Sequence, residues 1–90
     1  MSASIEVTRD GGAFDVRVRE GGSETRHRVT LSHEDHSRLA PDVAADAVIT
    51  AAFRFLLARE PKEAILARFD ISVISRYFPE FAEKLPAYLR

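Results

Sequence analysis

Two histidines in the middle of the chain have a spacing that suits metal binding. His33 and His36 are three positions apart, so on a helix they lie on one side, and Glu34 or Asp35 would add a carboxylate. Zinc in proteins usually has four ligands held by a second layer of hydrogen bonds, and this segment shows no obvious fourth ligand. We therefore interpret it as the solvated first turn of a helix, where the helix dipole favours acidic side chains. We predict no metal and no cofactor.

A third histidine, His27, lies on the apolar side of a predicted strand. There it is either a buried base or a structural side chain with both ring nitrogens hydrogen-bonded, and we favour the structural role. The sequence contains no nucleophile motif and no glycine-rich phosphate loop. It also contains no cysteine, which excludes disulfides, thiolate metal sites and thiol catalysis. We predict that the protein is not an enzyme.

Arginines on the polar face of the predicted sheet suggest a surface that binds phosphates. Arg17, Arg19, Arg26 and Arg28 share this face, and of these Arg17, Arg26 and Arg28 are the candidate contacts. However, the face has no aromatic residue to stack on bases, and it also carries acidic residues, so cross-strand ion pairs explain the arginines at least as well. The net charge of −1 gives little general attraction to nucleic acid. Nucleic-acid binding is therefore the less favoured function.

Residues 64–78 have some similarity to a helix-turn-helix. Ala64, Ile74 and Tyr77 occupy core positions of such a motif, but the usual glycine in the turn is absent. A helix that reads DNA normally carries several basic and polar side chains, and here only Arg76 is available. The alternative function is thus a small nucleic-acid-binding regulator with a degenerate helix-turn-helix-like segment, which uses Arg76 or the sheet arginines.

Aromatic residues towards the C-terminus give the strongest indication of function. They lie on short segments broken by prolines: Phe69, Tyr77, Phe78, Phe81 and Tyr88. Either all of them seal one end of the core, or those left outside form an apolar patch of the kind found at interfaces. We predict a non-enzymatic protein–protein interaction module. It would bind a protein partner, or a second copy of itself, through Tyr77, Phe78, Phe81 and Tyr88.

The elements that position these residues follow from a change of hydrophobic periodicity near Ser32. Before it, apolar and polar residues alternate, which is typical of half-buried strands. The predicted strands span 4–9, 13–20 and 24–31. Tight turns at Gly11-Gly12 and Gly21-Gly22 would join them. In this register Val7 lies opposite Val16, and Val16 lies opposite His27.

After Ser32, which suits a helix N-cap, the apolar spacing becomes helical. The predicted helices span 33–39, 43–59, 62–69, 71–78 and 80–85. We expect Asp42 to cap the longest of them, which shows one polar stripe and is otherwise apolar. We expect this helix to lie across the apolar face of the sheet.

Together these elements predict an α+β fold in a single domain over residues 1–90. It is a three-stranded antiparallel β-meander packed on a long helix, with shorter C-terminal helices beside it. The N-terminus lacks the basic and apolar regions of a signal peptide, and the longest apolar stretch, 43–58, is too short to span a bilayer. We therefore expect a cytoplasmic protein that does not bind membranes.

The stretch 56–81 reads LLAREPKEAILARFDISVISRYFPEF. It resembles a segment shared by small, conserved bacterial proteins of uncharacterised function. These relatives have a similar layout, in which a short strand meander is followed by helices. The resemblance implies a bacterial, cytoplasmic protein, and it transfers no activity, cofactor or site residue.

Overall fold

The structure is a computed structural model, and it describes residues 3–89. Its regular elements in chain order are β1 (Ser4–Asp10), β2 (Ala13–Glu20), β3 (Ser23–Thr30), α1 (His33–Leu39), α2 (Ala45–Leu57), β4 (Arg68–Asp70), α3 (Ile74–Tyr77) and α4 (Phe81–Tyr88). Short 3₁₀ turns at Lys62–Ala64 and Ile71–Val73 flank β4. The predicted α+β class is confirmed, but the sheet has four strands.

The N-terminal meander forms in the predicted register. Val7 pairs with Val16, and Val16 pairs with His27. The two-residue turns at Gly11-Gly12 and Gly21-Gly22 need backbone in the left-handed region, and Gly11 has φ of 62° while Gly21 and Gly22 have φ of 62° and 82°. Because the side-chain period is two, this register places the apolar residues on one face and the charged residues on the other.

The fourth strand, β4, was not predicted. It pairs in parallel with β3, and Val29 lies opposite Phe69. The predicted helix over 62–69 is therefore wrong, since this segment forms a 3₁₀ turn and then extended chain. The open edge of β3 accounts for the difference, because its backbone groups need partners and the backbone N–H of Arg28 donates to the carbonyl of Ala67 at 2.7 Å.

Helix α2 is shorter than predicted at both ends. Its N-cap is Ala44, and no side chain caps it, so the predicted cap at Asp42 is wrong. The chain before α2 is fixed instead by a side-chain bond, because the Nε2 atom of His36 lies 2.6 Å from the carbonyl oxygen of Val43. This contact holds residue 43 outside the helix.

Two phenylalanines make α2 the central element of the core. Phe53 and Phe55 are fully buried, and because they are two positions apart they project from opposite sides of the helix. The Phe53 ring lies 5.3 Å from the ring of His27, on the sheet side. The Phe55 ring lies 5.0 Å from the ring of Phe81, on the side of the C-terminal helices. The helix therefore packs against both the sheet and α4.

The C-terminal helices differ in length from the predictions. The predicted helix over 71–78 is a 3₁₀ turn followed by the single turn of α3, which ends before Pro79 because proline disfavours helical backbone in the preceding residue. Helix α4 continues past Pro86 to Tyr88, beyond its predicted end. Its last turn is held by packing, since Leu85 is fully buried and the ring of Tyr88 lies 5.8 Å from that of Phe55.

These contacts predict very different costs for two aromatic truncations. We expect Phe81→Ala to lower the free energy of unfolding by about 3–5 kcal/mol, because Phe81 is only 1% exposed and its removal leaves a cavity against Phe55. Tyr77→Ala should change it by less than about 0.5 kcal/mol, because Tyr77 is 68% exposed. Urea unfolding followed by circular dichroism measures both, and similar costs for the two variants would contradict this packing.

Candidate functional site

An apolar groove lies between the C-terminal end of α2, the chain leading into β4, and α3. Its volume is about 330 Å³, which is at the small end of the range for ligand pockets. Its walls are mainly aliphatic and aromatic, and they include Leu56, Ile65, Phe69, Ile74 and Phe78. Such a lining suits an apolar group, because burying apolar surface is the main favourable term in association.

The groove also collects exposed apolar surface at its edge. Leu66 and Tyr77 both line it, and they are 48% and 68% exposed. Among residues 3–89 they are the large hydrophobic side chains that stand out as exposed. Single exposed apolar residues are common on soluble proteins, but two at the edge of one apolar groove form a patch typical of interfaces.

Glu60 supplies the charged side chain in the groove lining. Its backbone N–H donates to the carbonyl of Leu56 at 2.9 Å, which fixes it just after the end of α2. Within the described part of the chain, no hydrogen bond or ion pair reaches its carboxylate, which is half-buried. Burial raises the pKa of Glu60 above its usual range, because removal from water disfavours the charged form.

His27 holds one wall of the groove in place. Its Nδ1 atom lies 2.7 Å from the carbonyl oxygen of Leu66, and its Nε2 atom lies 2.9 Å from the hydroxyl of Thr25. A carbonyl can only accept, so Nδ1 carries a proton and donates to Leu66, and in the neutral ring Nε2 is then the acceptor for the threonine hydroxyl. Both nitrogens of this 95% buried ring are thus satisfied, as the structural interpretation of His27 requires.

Asp70 fixes the junction between β4 and the turn that leads to α3. The hydroxyl of Thr30 donates to its carboxylate at 2.6 Å, and the backbone N–H of Ser72 donates at 3.0 Å. Asp70 therefore caps the 3₁₀ turn. Burial alone would raise the pKa of Asp70, but the hydrogen bonds from Thr30 and Ser72 outweigh it and lower the pKa.

The four predicted partner-binding residues occupy three different environments. Tyr77 and Phe78 line the groove. Tyr88 lies outside its lining, and its hydroxyl accepts a hydrogen bond of 3.3 Å from the guanidinium of Arg59. Phe81 is buried in the core, where it packs against Phe55. It therefore does not form the surface contact that we predicted for it.

The sheet arginines are paired with carboxylates. Arg26 lies 2.9 Å from Glu24, and Arg28 lies 2.9 Å from Asp15. Arg17 lies 3.6 Å from Glu24 and the same distance from Glu6. A depression of about 590 Å³ on this face is lined by four arginines and two carboxylates, and three of the arginines, Arg17, Arg26 and Arg28, form ion pairs.

The helix-turn-helix similarity is not realised in the structure. Within 64–78, all of which is described, the first helix is replaced by extended chain and β4, and α3 has a single turn. The cause is the pairing of β4 with β3, which takes the residues that the first helix would need. Arg76 is exposed on α3, without a recognition helix around it.

The remaining candidates from the sequence do not form a site together. Residues 3–89 contain no group of three side chains placed to hold a metal ion, and His36 is engaged with Val43. None of the helices described has the length and apolar character needed to cross a membrane.

Comparison with known proteins adds no assignment, since no protein family, curated protein or solved structure matches the chain.

Leu66 and Glu60 were missed by the sequence analysis. Leu66 fell within the predicted helix over 62–69, where its spacing does not mark it as exposed. The signal for β4 was weak, because a strand of three residues is too short to show alternation. Glu60 follows α2 directly and is one of many charged residues, so only the folded structure shows that it faces an apolar groove.

The hydrogen bonds of Asp70 predict a pH-dependent stability. At neutral pH, Asp70→Ala should lower the free energy of unfolding by about 1–2 kcal/mol, through loss of a cap and of the Thr30 bond. Because the pKa of Asp70 is lowered by folding, its charged form contributes stability above the ordinary aspartate pKa, and this is lost as the pH falls through the lowered value.

The difference between wild type and Asp70→Ala should therefore narrow in acid, between about pH 5 and pH 2. Urea unfolding across this range measures it. Asp42→Ala is the matched control, because Asp42 is exposed and caps no helix. A difference that stays constant with pH would show that the charge of Asp70 contributes nothing.

Folding shifts the pKa of Glu60 in the direction opposite to that of Asp70, so the charge of Glu60 is expected to lower stability rather than raise it. Since folding raises its pKa, the charged carboxylate lowers stability above the raised pKa, and this cost disappears as the pH falls below the ordinary glutamate value. At neutral pH, the free energy of unfolding of Glu60→Gln should therefore equal that of wild type or exceed it by up to about 0.5 kcal/mol. Thermal unfolding of both proteins measures the difference. Glu83→Gln, at an exposed position, is the control. A clear loss of stability in Glu60→Gln would mean that the carboxylate makes a stabilising contact.

Proposed function

We propose that this protein is a non-enzymatic interaction module that takes up an apolar segment of a protein partner in the groove beside α3. One observation carries the proposal. The exposed large hydrophobic side chains of the described residues, Leu66 and Tyr77, both line the same apolar groove. A partner that covers them removes apolar surface from water at the place where the groove already offers apolar walls.

The chemistry of the lining supports binding rather than catalysis. The described residues that line the groove include no histidine, lysine or second carboxylate to act with Glu60 as an acid–base pair. Tyr77 is well suited to be a contact residue, since tyrosine offers a large apolar ring with few rotatable bonds and a hydroxyl that stays at the wet rim. Tyrosine is also enriched among residues that dominate binding energy.

The walls of the groove are held in place before any partner binds. His27 fixes the carbonyl of Leu66, and Asp70 fixes the start of the turn that leads to α3. The ring of Phe69 lies 6.0 Å from that of Phe53 in the core. A preformed site loses less conformational entropy on binding than one that must order itself, so this support favours affinity.

Selection of peptides from a random displayed library tests the proposal. We expect peptides with an apolar anchor to bind the wild-type protein, and Tyr77→Ala to weaken them by about tenfold, as for a typical hot-spot residue. Leu66→Ser should also weaken them. Arg54→Ala is the control, because Arg54 lies on the exposed stripe of α2 and does not line the groove. Binding is measured by fluorescence anisotropy with the selected peptides.

Two results would count against the groove. One is a library that yields no binder. The other is a set of binders whose affinity is the same for wild type and for Tyr77→Ala, which would place the binding surface elsewhere. Thermal unfolding of each variant checks that a loss of binding does not come from a loss of fold.

A further inference from the structure

The groove contains an unpaired negative charge in otherwise apolar walls. Glu60 is half-buried there, and among residues 3–89 no side chain pairs with its carboxylate. The cations nearest to it in sequence are engaged elsewhere. Arg59 reaches Glu80 at 3.4 Å and the hydroxyl of Tyr88 at 3.3 Å, and Lys62 reaches Glu63 at 2.7 Å. Among residues 3–89, Glu60 therefore has no counter-charge.

An unpaired carboxylate beside apolar walls has a definite preference among ligands. Covering it with a neutral or apolar group removes water from the charge without compensation, and covering it with an anion adds repulsion. A cation compensates for the lost water, and the interaction is stronger than in bulk water because the surroundings are less polar. Lysine and arginine suit such a site, since their aliphatic stems can lie along apolar surface while the charged group reaches the carboxylate.

We infer that the groove selects partner segments in which a lysine or arginine lies next to the apolar anchor, with the cationic group placed against Glu60. This inference rests on the function proposed above, and it specifies the chemistry of the partner. The anchor would occupy the space between Leu56, Ile65 and Phe78, and Tyr77 and Leu66 would cover it from the edge. Segments with an acidic residue beside the anchor would be rejected.

Three small probes that share a phenyl group on a four-carbon chain and carry a cationic, neutral or anionic head group test this chemistry: 4-phenylbutylamine, 4-phenyl-1-butanol and 4-phenylbutyrate. Each is titrated at neutral pH and low salt into the ¹⁵N-labelled full-length protein, and the amide shifts of Leu66 and Tyr77 report on the groove. We expect the amine to bind about two- to fivefold more tightly than the alcohol, as for a partly exposed ion pair, and the carboxylate to bind most weakly. Added salt should reduce the preference for the amine.

Glu60→Gln is the decisive variant. It keeps the shape of the side chain and removes the charge, so the amine and the alcohol should bind it equally. Glu83→Gln is the matched control, because it removes the same charge from an exposed position outside the groove and should retain the preference. Displayed peptides should likewise be enriched in lysine or arginine beside the anchor on wild type, and lose this enrichment on Glu60→Gln.

The outcomes separate the two proposals. If the amine and the alcohol bind the wild-type groove equally, the role of Glu60 is overturned and the apolar groove still stands as a binding site. If none of the probes shifts the groove amides and the library yields no binder, both proposals fall. If the protein self-associates and Glu60→Gln abolishes the association, a second copy occupies the groove and the inference of a separate partner is overturned.

Discussion

The fold depends on one helix being buried on two sides. Phe53 and Phe55 are two positions apart in sequence, and each packs against a different half of the molecule. Phe53 packs against the sheet, while Phe55 packs against α4 and against Phe78, which follows α3. A chain of ninety residues buries only a modest core, and here one helix serves both halves of it. Loss of either phenylalanine would leave a cavity between α2 and the half against which it packs.

The same constraint explains where the groove lies. Phe69 packs on the sheet side through Phe53, and Phe78 packs on the other side through Phe55 at a ring distance of 5.8 Å. Both also line the groove. The groove is thus the gap where the two halves meet at the end of α2, and it is also lined by Leu56, in the last turn of the helix, and by Glu60, which follows the helix. Core packing and the candidate site share the same residues.

Local sequence patterns were sufficient to predict the strands of the N-terminal meander, but they were insufficient to predict the elements that follow α2. Alternation and paired glycines determine the register from β1 to β3, because neighbouring strands joined by tight turns have little freedom. Strand β4 depends on contacts with residues about forty positions away, such as the one between Asp70 and Thr30. A pattern of neighbouring residues gives no information about such contacts. Among the aromatic residues, sequence indicated the cluster but did not separate Phe81 in the core from Tyr77 at the surface, since that choice follows from how α4 docks on α2.

The parallel pairing of β4 with β3 also bears on how the molecule assembles. The hairpins of the meander close over a few residues and form quickly, whereas β4 can dock only after α1 and α2 have brought the chain back to β3. The bond from His27 to Leu66 spans 39 positions, so its formation closes a long loop of the chain. Since β4 has three residues and lies at the edge of the sheet, it is also the part of the sheet that opens with the least free energy. Occupation of the groove would stabilise the strand beside it and so slow its opening.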